Sequence, residues 1–181
     1  MKKFLQFSGL IAAVFAIVSI ILLMACPSIT YTIAGNAYSY SGICGIFGGK
    51  ITASLGGLTG EIGEIKATAT AVIAFILLIA GIVILLLGAI LPLLKVTALN
   101  KFSGLLNLIA IVCLIAAGVL VFFEVPAFCA AQSTDKVNWD PSNYHLGAGW
   151  TVSGILSIVA GVLALAPACA NFLAKGKKKR R

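Results

Sequence analysis

Charge is what this chain has least of. Only 10% of its 181 residues are Asp, Glu, Lys or Arg; the acids number five (Glu61, Glu64, Glu124, Asp135 and Asp140), and His145 is the single histidine. Each shortage excludes a chemistry. Zinc and diiron centres need several ligands gathered at one point, and one loop histidine supplies no such set. Asp140, Ser142 and His145 are the residue types of a hydrolase triad, yet three groups within one short loop rarely converge on a nucleophile. The glycine-rich GGLTGEIG at residues 56–63 lacks the Gly-Lys-Ser/Thr ending of a phosphate loop, and Glu61 and Glu64 would repel the anion. The sequence therefore predicts a non-enzyme with no catalytic, cofactor-binding or metal residues.

Apolar residues fill the space instead. They make up 61% of the chain, with a mean hydropathy of +1.12, far outside the range of a soluble domain. Four runs, 8–25, 67–94, 102–123 and 149–172, are long enough to cross a bilayer as helices. In the third, thirteen Leu, Ile, Val and Phe residues stand between Leu105 and Phe123 against a single Asn107. At about 0.3–0.6 kcal/mol each, they favour insertion by several kcal/mol. No run has a charge in its apolar core, so a proton- or ion-coupled carrier lacks its usual intramembrane groups. The first run follows Met-Lys-Lys and ends in LLMAC, like a secretory signal or a lipoprotein box at Cys26. Its 18 residues exceed the about 7–15 of a signal core, and a retained helix is expected.

The fold class that follows is an all-α membrane protein: one domain, 1–181, a four-helix bundle with a small extracellular antiparallel β-meander. Outer loop 1 covers 26–66, the inner loop 95–101, outer loop 2 124–148 and a basic tail 173–181. The net charge of +8 is a matter of threading rather than of nucleic acid. Lys2, Lys3, Lys95, Lys101, Lys175, Lys177, Lys178, Lys179, Arg180 and Arg181 fall on one side of a four-span chain. Lys50, Lys66 and Lys136 fall on the other with every acid. Basic residues are retained in the cytoplasm, so both termini are expected there, with the tail from Lys175 to Arg181 anchoring the last helix against anionic inner-leaflet lipid. The plasma membrane is the expected location, an organelle membrane the alternative.

Outer loop 1 carries strand-like alternation over 28–34, 37–47 and 50–55, divided by the turn-forming pairs Gly35-Asn36 and Gly48-Gly49. Three strands resting on helix tops can be stable where two are marginal. Residues 56–63 read as a flexible lead into the second helix. Cys26, Cys44 and Cys129 all fall on the outer side, where Cys44–Cys129 or Cys26–Cys44 could bridge, or all three could stay free and buried. Trp139, Tyr144 and Trp150 suit headgroup level as interface anchors.

Lipid is as apolar as leucine, so the helices must associate through small residues that let backbones approach. Ser153, Ser157 and Gly161 recur every fourth residue on the last helix, as do Ala160, Ala164 and Ala168. Ala12, Ala16 and Ser19 give the first helix a matching face, and Ser103, Asn107, Ala110 and Ala117 the third.

This layout resembles the claudin and peripheral-myelin-protein group of tetraspan proteins. The local likeness is greatest at Leu146-Gly147-Ala148-Gly149-Trp150, followed by small-residue spacing and Ala168-Cys169. Gly42-Ile43-Cys44 stands where that family has Gly-Leu-Trp and two cysteines. The resemblance implies a scaffolding or adhesion role through lateral or cell-to-cell association, with the chain itself or another membrane protein as partner. A solute or ion path formed by oligomerisation, or an accessory subunit of a larger complex, is the alternative.

Overall fold

In a computed structural model, residues 2–33, 36–55, 58–90, 103–134 and 138–178 are described. The inner loop expected at 95–101, the end of the second span after residue 90, and Lys179, Arg180 and Arg181 lie outside them.

Four long helices form from the four apolar runs: α1 (Lys2–Ala25), α3 (Ala69–Ile90), α4 (Ser103–Phe122) and α6 (Ala148–Lys178). Each contains a stretch long and apolar enough to cross a membrane, at Ser8–Ala25, Ala69–Gly88, Gly104–Phe122 and Ala148–Ala166. They pack in the cyclic order α1, α6, α4, α3. The core between them is built from Ala12, Ala16, Ala74, Leu78, Leu85, Ala110, Leu114, Ala117, Ala160 and Ala164, all buried, while Ile21, Ile76, Val112 and Val162 face outward. An apolar belt of that extent is compatible with a multi-pass membrane protein.

The small-residue faces do the packing. Ser19 on α1 and Ser153 on α6 meet hydroxyl to hydroxyl at 2.8 Å, and the Ser153 hydroxyl reaches the Ser19 carbonyl at 2.8 Å. Ser157 donates to the Leu114 carbonyl of α4 at 2.6 Å. With the serine hydroxyls thus paired to backbone carbonyls of a neighbouring helix, polar atoms enter the core and, among the described residues, no buried side-chain donor or acceptor is left without a partner. Where α4 crosses α6, a Cβ on Gly118 would lie 2.7 Å from the Gly154 carbonyl oxygen, so the backbones touch only because no side chain intervenes.

The cap sits where α1 and α4 end and α3 and α6 begin. It comprises β1 (Pro27–Ile33), β2 (Asn36–Ser41), α2 (Gly42–Phe47), β3 (Gly49–Leu55), β4 (Leu58–Ile65), α5 (Glu124–Gln132), a 3-10 turn at Pro141–Asn143, and β5 (Tyr144–Leu146). The expected single meander is replaced by two sheets. One is ordered β2-β1-β5 and the other is the hairpin β3-β4, all antiparallel. The middle run, read as strand over 37–47, stops at Ser41, whose hydroxyl accepts the Cys44 N–H and starts α2. Gly48, at φ +73°, ends that helix and turns the chain into β3. The glycine-rich 56–63, expected as a flexible lead, falls mostly within β4, which pairs with β3 from Gly49↔Ile65 to Leu55↔Leu58. The last pairs of the two hairpins are Ile33↔Asn36 and Leu55↔Leu58, so Asn36, expected in the first turn, is a strand residue; residues 34–35 and 56–57 lie outside the described residues.

Gly118→Ala is expected to lower stability by about 1–3 kcal/mol, since the methyl meets backbone that cannot yield as a side chain would. Thermal unfolding of the purified chain in detergent, compared with Ala116→Gly as a control on the same helix, measures it.

Candidate functional site: the cap and its anchorage

The cap's first anchor is β1, which pairs with β2 on one side and with β5 on the other, Tyr31↔Tyr144 and Ile29↔Leu146. A register shift between Pro27 and Thr30 frees two carbonyls of β2, and the buried Ser28 hydroxyl lies 3.3 Å from Tyr40 O and 3.2 Å from Ser41 O. Gly147 N–H donates to Ser28 O at 2.8 Å, closing the junction between β1 and the start of α6. One turn into α6, Trp150 is fully enclosed and its indole N–H donates to Leu23 O of α1 at 2.8 Å. Trp150 was expected at the lipid interface; it is a core residue, because α1 offers a free helix-end carbonyl for its N–H.

An aromatic cluster forms over this sheet. Tyr31 stacks on Tyr38 at 5.5 Å and on Tyr40 at 5.2 Å, Trp139 stacks on Tyr144 at 5.4 Å, and Phe128 of α5 meets Trp139 edge-on at 5.9 Å. Trp139 and Tyr144, also expected as interface anchors, are half-buried against each other and Phe128. Burial, with Tyr31 close by, pushes the Tyr40 hydroxyl well above the usual tyrosine range. Burial first, then Cys129 and Tyr31, raises Tyr144. At the rim, Tyr38 is 47% exposed, on the β2 edge of the sheet.

The second anchor is polar. Glu124 opens α5 with no solvent exposure, and its two carboxylate oxygens accept from Thr68, which precedes α3, and from Thr70 in its first turn, the latter at 2.5 Å. The Thr68 hydroxyl is also 3.4 Å from Gly45 O of α2, so α2, α5 and the entry to α3 meet around one carboxyl group and its threonines. Desolvation raises the Glu124 pKa above the ordinary value, and the two threonine hydroxyls oppose it. Gln132, at the other end of α5, pairs with both backbone groups of Lys66: its Oε1 accepts Lys66 N–H at 3.1 Å and its Nε2 donates to Lys66 O at 2.8 Å. The sequence shows Glu124 only as a charge at the edge of an apolar run. Its partners lie 56 and 54 residues away in the chain and no spacing rule connects them.

The remaining expected sites fall as follows. Cys26, Cys44, Cys113, Cys129 and Cys169 are all free, which removes the Cys44–Cys129 and Cys26–Cys44 bridges. The three cap thiols lie in different surroundings: Cys26 fills the space left by Gly149, Cys44 is on α2 against Gly49, and Cys129 is buried beside Phe128. Burial, and then Asp140, raises the Cys129 thiol. Asp140 caps the 3-10 turn, its Oδ1 accepting Ser142 N–H at 2.9 Å, while His145 is exposed on β5, paired through its backbone with Thr30. Among the described residues no group of three His, Cys, Asp or Glu is placed to hold a metal ion. Ser153, Ser157, Ala160, Gly161 and Ala164 are buried in the bundle as packing residues. Lys175, Lys177 and Lys178 continue α6. No protein-family model and no curated protein matches this chain.

Gln132→Ala is expected to leave the Lys66 amide and carbonyl without their partner, at a cost of about 1–3 kcal/mol. Hydrogen exchange at the β4–α3 junction should quicken at Lys66 and its neighbours while the helix cores stay protected.

Proposed function

We propose that this chain is a non-enzymatic, multi-pass membrane protein of scaffolding or adhesion type, whose cap faces outward and associates laterally or between cells. Both termini are read as cytoplasmic. Four spans bring the two ends of the chain to one face, and ten basic residues against three favour that face as the inner one. The cap, drawn from the two segments that would lie outside, carries the association surface. The likeness in layout to claudin-type tetraspan proteins agrees with such a role.

One observation carries the reading. Tyr38 stands 47% exposed on an edge strand, held by its stack on Tyr31, on a sheet tied to the helices. A ring fixed in place by its neighbours loses little side-chain freedom on binding, and exposed aromatics at a rigid site are the common anchors of protein interfaces. The adjoining β2 edge offers backbone groups to an added strand.

The test is a photo-crosslinking residue at position 38 in native membranes, compared with one at Val112, which is 66% exposed on α4. Position 38 should yield a defined multimer or a single heterologous product, in excess over position 112. Equal or absent capture at position 38 would remove the cap as the association surface. Solute uptake by the purified chain in liposomes would point to an oligomeric pore instead.

A further inference from the structure

The cap contains a carboxyl group that the proposed function does not use. Glu124 has no exposure to solvent, yet among the described residues no charged neighbour contributes to its titration. An ionised carboxylate enclosed in this way costs free energy that two neutral hydroxyls only partly offset. The first turn of α3 adds the positive end of its dipole, a further partial offset. The titratable groups on the elements packed around it are few. Lys66, two residues before Thr68, points its side chain to solvent; Cys44 adjoins Gly45 on α2; and Cys129 is one turn on along α5. Beyond them α3 and α4 bring only Cys113, in the middle of α4; α1 carries Lys2 and Lys3 at the end away from the cap; and β5 with the 3-10 turn, which pack on α5, bring Tyr144, His145 and Asp140.

The hydrogen-bond geometry accommodates two protonation states. With Glu124 ionised, Thr68 and Thr70 each donate to one carboxylate oxygen. A hydroxyl carries one hydrogen and two lone pairs. When the carboxyl takes up a proton, its O–H donates to the Thr68 oxygen. The Thr68 hydrogen rotates to Gly45 O, 3.4 Å away, and Thr70 goes on donating to the other carboxyl oxygen. No polar group loses its partner and the buried charge disappears. Thr70 is half-buried.

We propose that Glu124, Thr68, Thr70 and the Gly45 carbonyl form a proton-binding site at the junction of α2, α3 and α5, and that proton uptake there tightens the docking of the cap on the bundle. The site is independent of whether the cap associates with anything. The direction of the pH effect follows from burial. A carboxyl whose native affinity for the proton exceeds its unfolded affinity gives the fold its full stability below the ordinary glutamate value. That contribution is lost as pH rises toward the native value and is constant above it.

The full chain in lipid nanodiscs tests this with two readouts over about pH 4 to about pH 9, a range that spans the ordinary glutamate value and the interval above it. The melting temperature of the wild type should fall with rising pH, whereas Glu124→Gln should lack that fall and match the acid limb of the wild type. Infrared titration should show a protonated-carboxyl band that persists above the ordinary carboxyl range and is missing in Glu124→Gln. Thr68→Ser should keep the midpoint of that band and Thr68→Val should move it, a comparison that holds even if Glu124→Gln does not fold. A wild-type melting temperature that is flat or rises with pH, or a band that titrates at the ordinary glutamate value, would overturn the proposal. An unmoved midpoint in Thr68→Val would remove Thr68 from it.

Discussion

The close packing of α1 against α6 determines most of what lies above it. Those helices are first and last in the bundle, and nothing in the chain's connectivity makes them neighbours. Ser19 and Ser153 bring them together inside the apolar core, and Trp150 fixes their ends by donating to Leu23 O. Because β1 starts two residues after α1 and β5 ends two residues before α6, that contact puts the two strands side by side. The Gly147–Ser28 hydrogen bond and the empty space at Gly149, taken by Cys26, complete the junction. The sheet thus joins segments more than a hundred residues apart, and its central strand depends on the helices beneath it.

The cap is held at its other side by different chemistry. There the partners are α5 and the entry to α3, and polar side chains do the joining: Glu124 to Thr68 and Thr70, Gln132 to the Lys66 backbone. This arrangement suits its position. At the end of an apolar bundle, backbone groups leaving a helix or strand need partners, and a glutamine or a threonine supplies them without adding charge. Glu124 is the exception, the one carboxyl group among the described residues that is buried away from water, and its cost sets it apart from a purely structural linker.

Reading the chain alone goes far with the helices and less far with the cap. A helix of twenty apolar residues declares itself by length and composition, and the small-residue faces of α1, α4 and α6 follow from a four-residue period. The strands carry weaker signals. Glycine at 60 and 63 hid β4, since a residue without a side chain erases the alternation on which strand recognition rests. The run through 37–47 mixes a strand and a short helix whose boundary is one serine hydroxyl, and β5 is three residues long. Trp139 and Tyr144 were legible as amphipathic aromatics, but not as parts of one stack with Phe128.

What the sequence determined by itself is the set of four apolar helices, their small faces, the charge asymmetry between chain segments and the presence of a β-forming loop, because each is a matter of local composition or short period. Only the tertiary structure decided which strands share a sheet, that the cysteines stand apart as free thiols, that Trp150 is enclosed, and that Glu124 is buried between two threonines. These depend on contacts between segments far apart in the chain, and such contacts are fixed by which helix lies against which.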